Sequence, residues 1–244
     1  MRIDRIYRRG CGLAAGLIFV VSAVFSGTDA VQTSGGMVRL NFRLQQHREV
    51  YEKSSYGEAP QFAIWLQTHD SLDVKTLFVT RRTAQGKYVG KVECPVSLPI
   101  WIGIFRRETG RADFPTPRNP FFDAVTGATP QTADIRVTAL VEAGKSYDYY
   151  IEMNVAGDYN PEFPRVSAQK RQDKHGNGQP SLVWRGTIEA VPGASSTPAL
   201  IGRSHQYYFT TEVAADMAGI GSAREVFSDI AVECTAAAAP GQGL

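Results

Sequence analysis

Apolar and polar residues alternate with period two along most of this chain, and that alternation constrains the fold more than any other feature. VRLNFRL (38–44) places Val38, Leu40, Phe42 and Leu44 on one side, the pattern of a half-buried strand. QFAIWLQ (61–67) adds Ala63 and Trp65 to Phe62, Ile64 and Leu66, so this strand is expected to be covered on both faces. VKTLFVT (74–80), IRVTALV (135–141), YDYYIEMNV (147–155), SLVWRGTIEAV (181–191), QYYFTTEV (206–213) and IAVEC (230–234) continue the series. They are rich in the β-branched and aromatic residues that pack on pleated surfaces. His69-Asp70-Ser71 and Ala143-Gly144-Lys145 are short enough to close hairpins.

Helical periodicity is scarce. Ile100, Trp101, Ile104 and Phe105 in PIWIGIFRRE (99–108) fit a short amphipathic helix, with a strand as the alternative. SAREVFSDI (222–230) is a second helix candidate. No helix alternates regularly with the strands, which argues against a parallel sheet. The expected fold is all-β: an antiparallel β-sandwich, immunoglobulin/fibronectin-like, of eight or nine strands. It has two long loops and at most one or two short helices. The loops are 106–134 and 156–180, and connections of that length inside a domain are usually functional or disordered.

Residues 1–30 read as an export leader: Arg2, Arg5, Arg8 and Arg9, then the apolar run 12–25, then Thr28-Asp29-Ala30. The run falls short of the roughly 20 residues of a membrane span. The expected organisation is a signal peptide (1–30), one β-sandwich domain (31–235) and a flexible tail (236–244). The expected product is a periplasmic protein with no membrane insertion after cleavage. The chain's 26 basic and 24 acidic residues include four arginines and two aspartates of the leader, so residues 31–244 carry 22 of each. A net charge near zero argues against nucleic acid as a partner.

In an oxidising compartment Cys94 and Cys234 are expected to form one disulfide, the alternative being two buried thiols. His47, His69, His175 and His205 are scattered, without metal-ligand spacing. Asp158, Asn160, Asp173, Asn177 and Gln179 offer oxygen ligands in the second long loop, but their spacing matches no EF-hand, and an ordinary polar loop is the preferred reading.

The order FAIWL (62–66), KTLFVT (75–80), DAVTGATP (123–130) and YDYYIEMNVAGDYN (147–160) resembles the DUF2271 family of predicted periplasmic proteins. The resemblance spans roughly residues 36–234. DAVTGAT is also similar to the Asp-x-x-(Ser/Thr)-Gly-Ala-(Thr/Ser) motif on which periplasmic flavin transferases esterify FMN. Asp123, Thr126, Gly127, Ala128 and Thr129 fill all five defined positions. Average residue usage yields such a match in about one chain of this length per thousand. That resemblance implies FMN attached covalently to Thr129, with the other four residues recognised by the transferase. It also implies a redox carrier exchanging electrons with a membrane-embedded reductase. Phe121, Phe122 and Trp101 are candidates to stack on the flavin ring. The alternative is a cofactor-free sandwich that binds or scaffolds an envelope protein, with DAVTGATP as a turn. Both readings are of a carrier or binding module rather than a stand-alone enzyme.

Overall fold

The computed structural model describes residues 36–87, 94, 97–121, 125–127, 130 and 132–237, with backbone alone at 125–127. The expected leader and most of the expected tail lie outside them. Among the described residues ten strands form two sheets. β1 (Met37–Gln46), β5 (Asp134–Glu142), β8 (Ser195–Ser196) and β10 (Phe227–Ala236) make a four-stranded sheet in the order β5-β1-β10-β8. β2 (Gln61–Thr68), β3 (Val74–Thr80), β4 (Val125–Gly127), β6 (Ser146–Asn154), β7 (Leu182–Glu189) and β9 (Ala199–Arg203) make a six-stranded sheet ordered β4-β3-β2-β6-β7-β9. All pairings are antiparallel except β3 with β4. The all-β sandwich expected from the alternation is the architecture found.

The period-two faces meet as the sequence requires. Leu40, Phe42 and Leu44 of β1 share a core with Phe62, Ile64 and Leu66 of β2 and with Tyr149, Ile151 and Met153 of β6. The opposite face of β2 is covered too. Ala63 and Trp65 join Val79, Val183 and helix α3 (Pro99–Thr109) in a second core on the far side of the six-stranded sheet. α3 is a helix because Ile100, Trp101, Ile104 and Phe105 all reach that layer, with Pro99 at its first turn and Gly110 ending it at φ 71°. Two one-turn helices, α1 (Arg48–Tyr51) and α2 (Arg81–Gln85), accompany it.

Two expected elements are corrected. Residues 206–213 form no strand: the Gln206 amide donates to Phe163 O and Pro164 O, and the Tyr207 hydroxyl donates to Pro164 O. Thr211 lies against Gly103 of α3. These ties use the segment to cover the helix, while Ala199–Arg203 supplies the edge strand. Residues 222–230 are a 3-10 turn at Ser222–Glu225 followed directly by β10. Phe227 is drawn into the core against Phe62 and Trp184, which fixes a strand period there. The register of β10 on β1 slips between Arg43 and Gln45, and Asp229 takes φ 47° to absorb the extra residue.

The expected Cys94–Cys234 disulfide is absent. The Cys94 thiol donates to Asn177 Oδ1 at 2.7 Å, and Asn177 O in turn accepts from Asn154 at the C-terminal end of β6. Cys234 is buried in the sandwich core. Its backbone bonds Gly193 and Ala194, beyond the end of β7 that pairs with Ser146. The length of β6 separates the two neighbourhoods, about 25 Å at the usual strand rise. A disulfide needs Cα atoms within about 7 Å.

Candidate functional site

The motif segment is built onto the sheet edge. Val125, Thr126 and Gly127 pair in parallel with Phe78, Val79 and Thr80, making β4 the outermost strand of the six-stranded sheet. Asp123, Ala128 and Thr129 lie outside the described residues, as does Phe122. The flanks are anchored on both sides. Before the motif, Phe121 N–H donates to Ala84 O at 2.8 Å and its ring is buried against Trp101 and Phe105. After it, the Gln46 side-chain amide donates to Pro130 O at 3.1 Å, and Gln46 N–H donates to Ala133 O at 2.6 Å. Among the described residues this strand pairs on one side only, and the chain before and after it is anchored.

Beside this edge, β3 passes into α2 over a buried polar cluster. The Thr80 and Thr83 hydroxyls both donate to Gln61 Oε1, at 2.7 and 3.2 Å. Arg82 of α2 pairs with Glu58. Buried amide and hydroxyl groups of this kind fix one arrangement of the chain because each lost partner is costly. Phe121 and Trp101, candidates for flavin stacking, are instead committed to the core. Both are almost wholly buried, at 2 % and 0 % exposure, with edge-to-face and tilted contacts around Phe105.

The second long loop folds onto itself. Asp158 Oδ1 accepts from Gln179 N–H at 2.7 Å, and Oδ2 accepts from the Gln179 side-chain amide. Asp173 accepts from the N–H groups of His175 and Gly178 and from the Tyr159 hydroxyl. Asn160 Oδ1 accepts two backbone N–H groups of its own turn. Among the described residues no three His, Cys, Asp or Glu side chains converge as metal ligands. Burial pushes the Asp158 carboxyl up to about 8, with the Asp173 charge adding to it. His175 and His205 line a cleft of about 240 Å³ with Lys174, Tyr207 and Tyr208, and His205 stacks on Tyr208 at 4.6 Å.

Two carboxylates that sequence reading passed over organise the face of the six-stranded sheet carrying α3. Glu152 is fully buried and caps the helix from a distance. Its carboxylate accepts the N–H groups of Ile100 at 3.2 Å and Trp101 at 2.7 Å, and the Ser181 hydroxyl at 2.6 Å. No side chain at the helix N-cap does this work. Burial drives the Glu152 carboxyl up to about 7 against those hydrogen bonds. Asp148, four residues earlier on the same face, accepts from Arg185 and Thr187 at 2.6 Å each and lies 3.0 Å from His69 Nε2. Burial would raise its pKa, but these partners outweigh burial and bring it down to about 2. The available signal was two acids four residues apart, Asp148 and Glu152, on one face of a strand whose other residues from 147 to 153 are aromatic or aliphatic.

No protein-family model, no curated protein and no solved structure matches this chain.

Proposed function

We propose that this protein is an exported, periplasmic redox carrier holding FMN covalently on Thr129. The observation that supports this most is the placement of Val125–Gly127 as an edge strand with anchored flanks. A transferase needs an acceptor segment that it can reach, and an outermost strand leaves one side open. The Thr129 hydroxyl takes FMN from FAD as a phosphoester, releasing AMP. Asp123, Thr126, Gly127 and Ala128 serve recognition. Flavin, once attached, supplies the electron chemistry, and the chain supplies attachment and surroundings. Its electrons come from a membrane-embedded reductase. Cover for the ring must come from residues other than Phe121 and Trp101, which the core already uses.

Co-expression with a periplasmic flavin transferase tests this. The protein is expected to gain the mass of one FMN less water and to fluoresce on a denaturing gel. Thr129→Ala removes the reacting oxygen and abolishes the gain, while Thr126→Ala reduces it. A folded, colourless product from the wild-type chain refutes the carrier reading, leaving the cofactor-free envelope scaffold.

A further inference from the structure

Four strands end the two sheets, and three of them are short. β8 has two residues and β4 has three. β9 has five, and Ala214 covers its end, exchanging both backbone hydrogen bonds with Arg203 at 2.8 and 2.9 Å. The cover is close: a Cβ on Gly202 would stand 2.5 Å from Ala214 O. β5 is different. It runs nine residues, paired with β1 in unbroken register from Met37↔Glu142 to Gln45↔Asp134. Among the described residues, nothing bonds the side of 135–141 that faces away from β1. A long row of unpaired N–H and C=O groups is a template for another strand. Edges are usually blunted by charged side chains, lysine above all, or by proline, a bulge or brevity; β5 has no lysine, proline or bulge, and its exposed charges, Asp134, Arg136 and Glu142, are of both signs. Leu140 adds an exposed apolar side chain on its outer face.

We propose that β5 is a dimer seam, with two copies of this chain pairing antiparallel along it to join their four-stranded sheets into one of eight strands. Ile135, Val137 and Val141 face the core, while Asp134, Arg136, Thr138, Leu140 and Glu142 face outward. In a continuous sheet, paired residues share a face, so the two-fold axis must pass through a residue rather than between two. An axis through Thr138 would set Asp134 against the other copy's Glu142, a like-charge pair made twice. An axis through Val137 gives Arg136 no acid opposite. An axis through Ala139 sets Arg136 against Glu142 twice, Thr138 against Leu140 and Val137 against Val141. Charge complementarity therefore selects Ala139. Arg136 now holds Asp134 at 2.8 Å and Glu142 holds Lys145 at 2.6 Å. These are surface pairs, which exchange partners at little cost.

Sedimentation velocity across the micromolar range tests the seam. The purified protein is expected to pass from monomer to dimer with concentration. Arg136→Glu sets acid against acid at both ends of the seam and is expected to weaken the dimer at least about tenfold. Arg136 is 74 % exposed, so the variant should fold, which circular dichroism verifies. The double variant Arg136→Glu, Glu142→Arg restores the complementary pairs and should restore dimerisation. Amide exchange within 135–141 should slow as concentration rises. A protein that stays monomeric overturns the proposal. So does a dimer indifferent to Arg136→Glu, or one that the double variant fails to rescue.

Discussion

Replacing Glu152 with glutamine should make stability less sensitive to pH, and the structure sets the size of the change. The Glu152 carboxyl is raised by burial from 4.5 to about 7. The folded state therefore holds this proton more tightly than the unfolded chain, and the proton favours folding. That contribution is whole below pH about 4.5, declines as pH rises and is gone above about 7. By linkage it amounts to about 3 kcal/mol across the interval. The hydrogen-bond chain accommodates both states. With the carboxylate charged, the Ser181 hydroxyl, which lies 2.7 Å from the Ser204 hydroxyl, donates to Glu152 over 2.6 Å. With it protonated, the chain reverses and ends on Ser204. Glutamine keeps the shape and one acceptor but turns an NH2 group toward the helix N-terminus, leaving an N–H of Ile100 or Trp101 short of its partner. That loss is about 1–3 kcal/mol. Urea unfolding of both proteins at pH 5 and pH 8 reads the effect. Wild type should exceed Glu152→Gln clearly at pH 5, and the gap should shrink or reverse at pH 8. Asp158, also raised, titrates in both proteins and drops out of the difference. A gap of equal size at both pH values would refute the reasoning.

Three further outcomes are expected. Phe121→Ala empties a site between Trp101 and Phe105 and should cost about 3–5 kcal/mol in chemical unfolding. A loss under about 1 kcal/mol would contradict the close-packed second core. Reducing agent should leave the melting temperature unchanged, and denatured, unreduced protein should label at both Cys94 and Cys234, because no disulfide joins them. Asp148→Ala should destabilise by about 1–3 kcal/mol at neutral pH, since Arg185 and Thr187 lose their acceptor. Because the Asp148 pKa is lowered, its contribution is complete above about 4 and fades toward pH 2, so wild type and variant should converge in acid.

The fold was largely legible because period-two alternation reports burial on each face of a strand, and burial is the largest favourable term in folding. VRLNFRL and QFAIWLQ show this. Their apolar positions were enough to say that one strand faces a single core and the other lies between two. The chain around Thr126 and Gly127, read as part of a long loop, is instead a short strand paired with β3.

Sequence alone determined the alternation, the class and the candidate segment, because each is written in neighbouring residues. Tertiary structure decided the rest, because it depends on partners far along the chain. PIWIGIFRRE is compatible with helix or strand, and a carboxylate about 50 residues away settles it by accepting the helix's first N–H groups. QYYFTTEV has strand composition, yet the carbonyls of Phe163 and Pro164 hold it outside any sheet. The two cysteines have no sequence property that tells bridge from thiol. Strand order does, by sending Asn177 and Gly193 to opposite ends of β6.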